Sequence, residues 1–91
     1  MNATSLVQVE NDRAIVTERR FEPGADTGHH VHAHDYVVVP LTAETLRLEE
    51  PTGVREVGLQ AGVSYARMAR VAHNVINVNS HEFRFIEIEL K

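Results

Sequence analysis

Four of the six histidines fall between His29 and His34, in the stretch Gly24 to Val39 that reads GADTGHHVHAHDYVVV. His30, His32 and His34 are two residues apart, so on an extended backbone their imidazoles project from one face while His29 points away. Neutral imidazole is the commonest side-chain ligand for a transition metal, and this spacing is metal-ligand geometry on a strand. A histidine from elsewhere must complete such a site, and His73 is the candidate. His34 competes with a plainer reading as an exposed turn histidine, as do His29 and His81. Tyr36, two residues beyond His34, is either a packed aromatic with its hydroxyl tied to a partner or a group that donates a proton or hydrogen bond to a bound substrate. Arg47, Arg67 and Arg70 could each clamp a substrate carboxylate, although each alone reads equally as a solvated charge.

The rest of the composition narrows the chemistry. Thirteen acidic against nine basic side chains give a net charge of −4, with no basic cluster of the kind phosphate binding needs, so nucleic acid is not an expected partner. The absence of cysteine removes disulfides, zinc-thiolate sites and thiol nucleophiles together. Any metal must be held by nitrogen and oxygen. No segment approaches the ~20 apolar residues of a membrane span, and Met1 to Glu10 has neither a basic start nor a long apolar run. A cytoplasmic protein with no membrane partner is the expectation.

The elements that must position the histidines read as strands. Leu6 to Val9 and Arg13 to Phe21 are rich in Val, Ile and Thr around a turn at Asn11-Asp12. The segment 22–28 holds a proline, two glycines and an aspartate, a loop that delivers the chain to the histidines. The β-branched run after Tyr36 should be a buried strand that stops at Pro40, which cannot donate to a ladder. A hairpin follows, with Leu46 to Glu50 and Val54 to Leu59 on either side of Pro51-Thr52-Gly53. Val63 to Ala72 tolerates a helix but continues the spacing of strand and turn. His73 to Val78 and Phe83 to Leu90 are the last two strands, with Met68, Phe83 and Phe85 expected in the interior and Asn77 in a structural role. About eight short strands with regular turn signals make the fold class all-β, a sandwich or small barrel. The chain of 91 residues is a single domain, 1–91. Its core, short of aromatics and mostly Val, Ile and Leu, would gain from the extra burial of a homodimer.

Two half-motifs give this pattern a family resemblance. Gly24, five residues, then His30-Val31-His32 resembles the first motif of the cupin superfamily, although Tyr36 stands where that motif carries a glutamate and its later glycine is missing. Gly62, His73 and Asn77 fall at the places of the second motif, whose Pro-x-Gly is here Met68-Ala69-Arg70. The wording HDYVVVPLT, then HNVIN, then FRFIEIE is similar to a group of small bacterial single-domain cupins. The resemblance implies a jelly-roll β-barrel of about eight short antiparallel strands, with His30, His32 and His73 turned inward as ligands of one divalent transition metal (Fe, Ni, Mn, Cu or Zn). It also implies a missing carboxylate ligand. His34 could substitute as a fourth nitrogen, or Asp35 could orient a ligand from outside the coordination sphere. Loss of the carboxylate raises the net charge of the site by one, which favours a small, carboxylate-bearing molecule as the partner. Two functions are compatible with this reading: a three-histidine metal-dependent oxygenase, isomerase or lyase, and a non-catalytic small-molecule or metal-binding module.

Overall fold

The chain is described by a computed structural model that covers residues 2–70 and 72–91. Among those residues every regular element is a strand: β1 Thr4–Glu10, β2 Ala14–Phe21, β3 His30–Val31, β4 Asp35–Pro40, β5 Glu44–Glu50, β6 Gly53–Leu59, β7 Tyr65–Arg67, β8 Ala72–Asn77 and β9 Phe83–Leu90. They form two antiparallel sheets, ordered β1-β2-β9-β4-β7 and β3-β8-β5-β6. The all-β class expected from the turn spacing and the jelly roll implied by the cupin resemblance are both consistent with this arrangement, with nine strands in place of about eight.

The extra strand arises because the histidine stretch does not run as one extended segment. β3 pairs with β8 in one sheet and β4 pairs with β9 and β7 in the other, so the chain must cross between sheets and bends at Ala33-His34. The two-residue alternation therefore carries from His30 to His32 and stops there. Pro40 ends β4, where no further ladder donor is needed.

Inward-facing residues divide the interior into two ends. Phe21, Phe83 and Phe85 pack with ring centroids 5.4 to 5.7 Å apart, and Leu46, Leu59 and Ala25 join them in the core. Buried Asn77 closes this end: its Nδ2 donates to the carbonyls of Phe21 and His81, and its Oδ1 accepts from the backbone and side chain of Asn79. Along β9 the inward face continues from Phe83 and Phe85 to Glu87 and Glu89, while Ile86, Ile88 and Leu90 face outward. That strand is apolar outside and acidic inside at its far end, the reverse of an ordinary half-buried strand.

One expected core residue lies outside. Met68 is 75% exposed, because β7 ends at Arg67 and the chain turns away over 68–70.

Candidate metal centre

His30 and His73 are directly opposed in the β3–β8 ladder, so their side chains leave the same face of the sheet. The loop before β3 is fastened to β8, the strand that carries His73. Gly24 N donates to Asn77 O, Asn77 N to Ala25 O, and Thr27 N to Val75 O. Gly24 and Gly62, the leading glycines of the two half-motifs, both have positive φ (80° and 77°), which a residue with a Cβ adopts only at a cost. Arg70 also has a positive φ, 71°, at the place where the second motif carries a glycine. Its amide donates to His32 O, tying this turn to the end of β3.

The three imidazoles converge. His30 Nε2 lies 3.1 Å from His32 Nε2 and 3.0 Å from His73 Nε2. The Gly28 carbonyl, 3.0 Å from His30 Nδ1, can only accept, so Nδ1 holds the proton and Nε2 presents its lone pair. One in-plane lone pair thus faces two ring nitrogens, an arrangement that two ordinary hydrogen bonds do not satisfy. A cation would be met by all three nitrogens. Spacings of 3.0 and 3.1 Å subtend roughly 90° at a centre about 2.1 Å from each nitrogen, the usual imidazole-to-metal bond length. The donor set fits a divalent transition metal, and these residues form one of two candidate cation groups among the described residues.

Burial prepares the ligands for that role. His32 and His73 are 6% and 7% exposed. Loss of hydration, reinforced by the neighbouring His30, lowers both imidazoles to about 4, which keeps them neutral and able to coordinate at physiological pH. The Tyr36 ring lies against His32, with centroids 4.1 Å apart. Burial, with Glu87 nearby, pushes its phenol up, so it retains its proton.

A cavity of about 30 Å³ lies beside the histidines, lined by Arg19, His30, Tyr36, Arg67, His73 and Glu87 among others. Arg67 rests on the Tyr65 ring, 4.5 Å from its centroid.

The structure places the remaining candidates elsewhere. His34 is turned out of the triad, with Nδ1 3.2 Å from Glu89 Oε2, because the bend after His32 breaks the alternation. Asp35 accepts from Ala69 N at 2.6 Å and pins the β7–β8 turn, so it orients no ligand. Arg47 pairs with Glu56 on the surface, and Arg70 is exposed. His29 is also exposed, 3.7 Å from Glu49.

Comparison with known proteins follows the same lines. No protein-family model matches the chain. It is 58% identical over 89 residues to the β-alanine degradation protein BauB of Pseudomonas aeruginosa, an alignment covering 98% of this chain and 94% of BauB. A cupin domain from Bordetella pertussis superposes with a TM-score of 0.97 at 52% identity, covering 99% of this chain and 94% of that one. The chain belongs to the cupin superfamily. A cupin described as a sugar phosphate isomerase, from Silicibacter pomeroyi, shares the fold at 22% identity and a TM-score of 0.74, over 99% of this chain and 60% of its own.

Within this cupin the residues missed by sequence reasoning are Arg19, Glu87 and Glu89. Glu87 is 3% exposed, and its Oε1 accepts from Arg19 Nη2 at 3.1 Å. Burial pushes its carboxyl up, opposed by the Arg19 guanidinium. A signal was available: in the strict alternation of β9, both glutamates share a face with Phe83 and Phe85. Carboxylates in register with two phenylalanines face the same interior.

Proposed function

We propose that this cupin holds one divalent transition metal (Fe, Ni, Mn, Cu or Zn) per chain through His30, His32 and His73, and uses it to act on a small polar, carboxylate-bearing metabolite as an oxygenase, isomerase or lyase. The observation that carries the proposal is the convergence of three Nε2 atoms, with spacings of 3.0 and 3.1 Å, beside the interior cavity. The metal would supply Lewis acidity and a template for the substrate. Arg67, and Arg19 from β2 where its pairing with Glu87 leaves donors over, offer guanidinium groups to a carboxylate. Tyr36, kept protonated by burial, donates a hydrogen bond to the bound molecule. Val38, Leu48 and Val75 line the same space and keep bulk water from it. The carboxylate preference agrees with the name of the Pseudomonas relative, since β-alanine is a small amino acid.

A second reading, a binding module without turnover, is favoured by one observation. The partly open cavity of about 30 Å³ has room for about two water molecules, enough to complete the coordination of a bound metal, whereas a metabolite enters only if the lining moves. Oxygen uptake and product formation by metal-loaded protein, followed against a panel of small amino and carboxylic acids, separate the two readings. Saturable binding with no turnover assigns the module.

The metal itself is tested by elemental analysis of protein purified without a histidine tag. About one equivalent per chain, lost in His32→Ala, is expected. A folded wild-type protein that takes up none of the five metals overturns the proposal. The partner proposed beyond the small molecule is a second copy of this chain, docked on the outward face of the five-stranded sheet where Leu6, Val9 and Leu90 are exposed. A monomer at micromolar concentration by light scattering would refute that.

A further inference from the structure

Tyr36 stands where the first cupin motif carries a glutamate, and two glutamates lie on the neighbouring strand. In the β4–β9 ladder Tyr36 is opposite Glu89 and Val38 is opposite Glu87, so both glutamates project from the same inward face as Tyr36, one strand over. Glu87 Oε1 is anchored by Arg19, while Oε2 is turned toward the triad, 3.8 Å from His32 Nε2. Glu89 is occupied differently. Its Oε2 is 3.2 Å from His34 and its Oε1 is 3.9 Å from the far nitrogen of His32, Nδ1, so it backs the ring rather than meeting the triad. Glu87 lines the cavity with His30 and His73, and Glu89 does not. His32, Glu87 and Glu89 also form the second cation group, which shares His32 with the first.

We propose that Glu87, supplied from β9, is the fourth protein ligand of the metal held by His30, His32 and His73. This inference rests on the three-histidine reading and extends it. Glu87 stands outside the three-histidine group and meets it only at His32, so with one oxygen held by a guanidinium it would reach monodentate coordination through the other by swinging that oxygen from His32 toward His30 and His73. Its charge restores the net charge that the loss of a motif glutamate would have changed, leaving a divalent metal with one anionic and three neutral ligands, so a preference for a carboxylate then rests on Arg67 in the cavity lining. Glu89 Oε1, 3.9 Å from His32 Nδ1 and so beyond direct hydrogen-bond reach, contributes negative charge behind the ring. Tyr36 is thereby free to occupy the vacated motif position and face the bound molecule.

Cobalt(II) titration of wild type and of Glu87→Gln, with affinity taken from competition with a chelator and coordination read from the visible absorption bands, tests this. The expected result is at least a tenfold loss of affinity in Glu87→Gln together with a changed band pattern, while Glu82→Gln, in the exposed turn before β9, matches wild type. Glu87→Asp keeps the charge but retracts the carboxylate by one methylene. It is expected to lose affinity as well, and it serves as the folded test case should removal of the charge beside Arg19 prevent folding. A wild-type affinity and spectrum in Glu87→Gln, or in Glu87→Asp where only that variant folds, overturns the assignment of Glu87 and leaves the triad intact. Failure of wild type to bind cobalt(II) at all overturns the triad and Glu87 together.

Discussion

The two ends of the barrel interior are built from the same strands and hold opposite kinds of side chain. β2 contributes Phe21 to one end and Arg19 to the other; β9 contributes Phe83 and Phe85, then Glu87. β4 and β8 do likewise, passing from Tyr36 to Val38 and from His73 to Val75 and Asn77. At the aromatic end, stabilisation comes from apolar burial and from an asparagine whose hydrogen bonds are satisfied. At the histidine end, buried imidazoles and a buried carboxylate carry desolvation costs, offset only in part by partners such as Arg19 at Glu87. A domain of this size has stability to lose at one end only because the other is well packed. The difference assigns stability to the phenylalanines and chemistry to the histidines.

The strongest way to break that division is to empty the aromatic end. Phe83→Ala removes a ring with no exposed surface, and a loss of about 3–5 kcal/mol is expected, measured by urea denaturation. A loss below ~1 kcal/mol would mean that the phenylalanines are not the core.

Acid sharpens the contrast. A histidine lowered to about 4 in the fold and near 6.5 when unfolded takes up its proton only on unfolding between those values. Stability of the metal-free protein therefore falls as pH drops from about 6.5 towards 4. His73→Leu should flatten that dependence in melting experiments, whereas Phe83→Ala should shift the curve at every pH without changing its slope. Parallel slopes for wild type and His73→Leu would refute the assignment.

The smallest effect concerns the turn that supports the histidine end. Arg70→Gly relieves a left-handed backbone conformation and is expected to stabilise by roughly 1 kcal/mol. Its hydrogen bond to His32 O is a backbone one and survives the change. A destabilised variant would show that the Arg70 side chain contributes more than its strained φ costs.

Most of the fold was legible because strand spacing and turn chemistry are local. The hairpin around Pro51-Thr52-Gly53 and the strand from Phe83 to Leu90 follow from alternation and breakers alone. The convergence of His30, His32 and His73 was legible through the two half-motifs. What escaped depends on which sheet a residue enters. His34 seemed aligned with His30 and His32 until the crossover between sheets turned it towards Glu89. Met68 looked apolar enough for the interior, yet it lies on a turn and is exposed. Glu87 was passed over because a glutamate in an alternating strand is ordinarily on the solvated face. Only the β4–β9 register places it beside the histidines.

The claim that the histidine end is organised around a metal is tested most directly by melting chelator-stripped protein before and after saturating cobalt(II). A ligand bound only by the native state at about 100 times its Kd adds roughly 2.7 kcal/mol, which in a domain of this size corresponds to a rise of about 10 °C or more. Wild type is expected to show that rise and His73→Asn to show none. An unchanged melting temperature in wild type, or an equal rise in His73→Asn, would contradict the account.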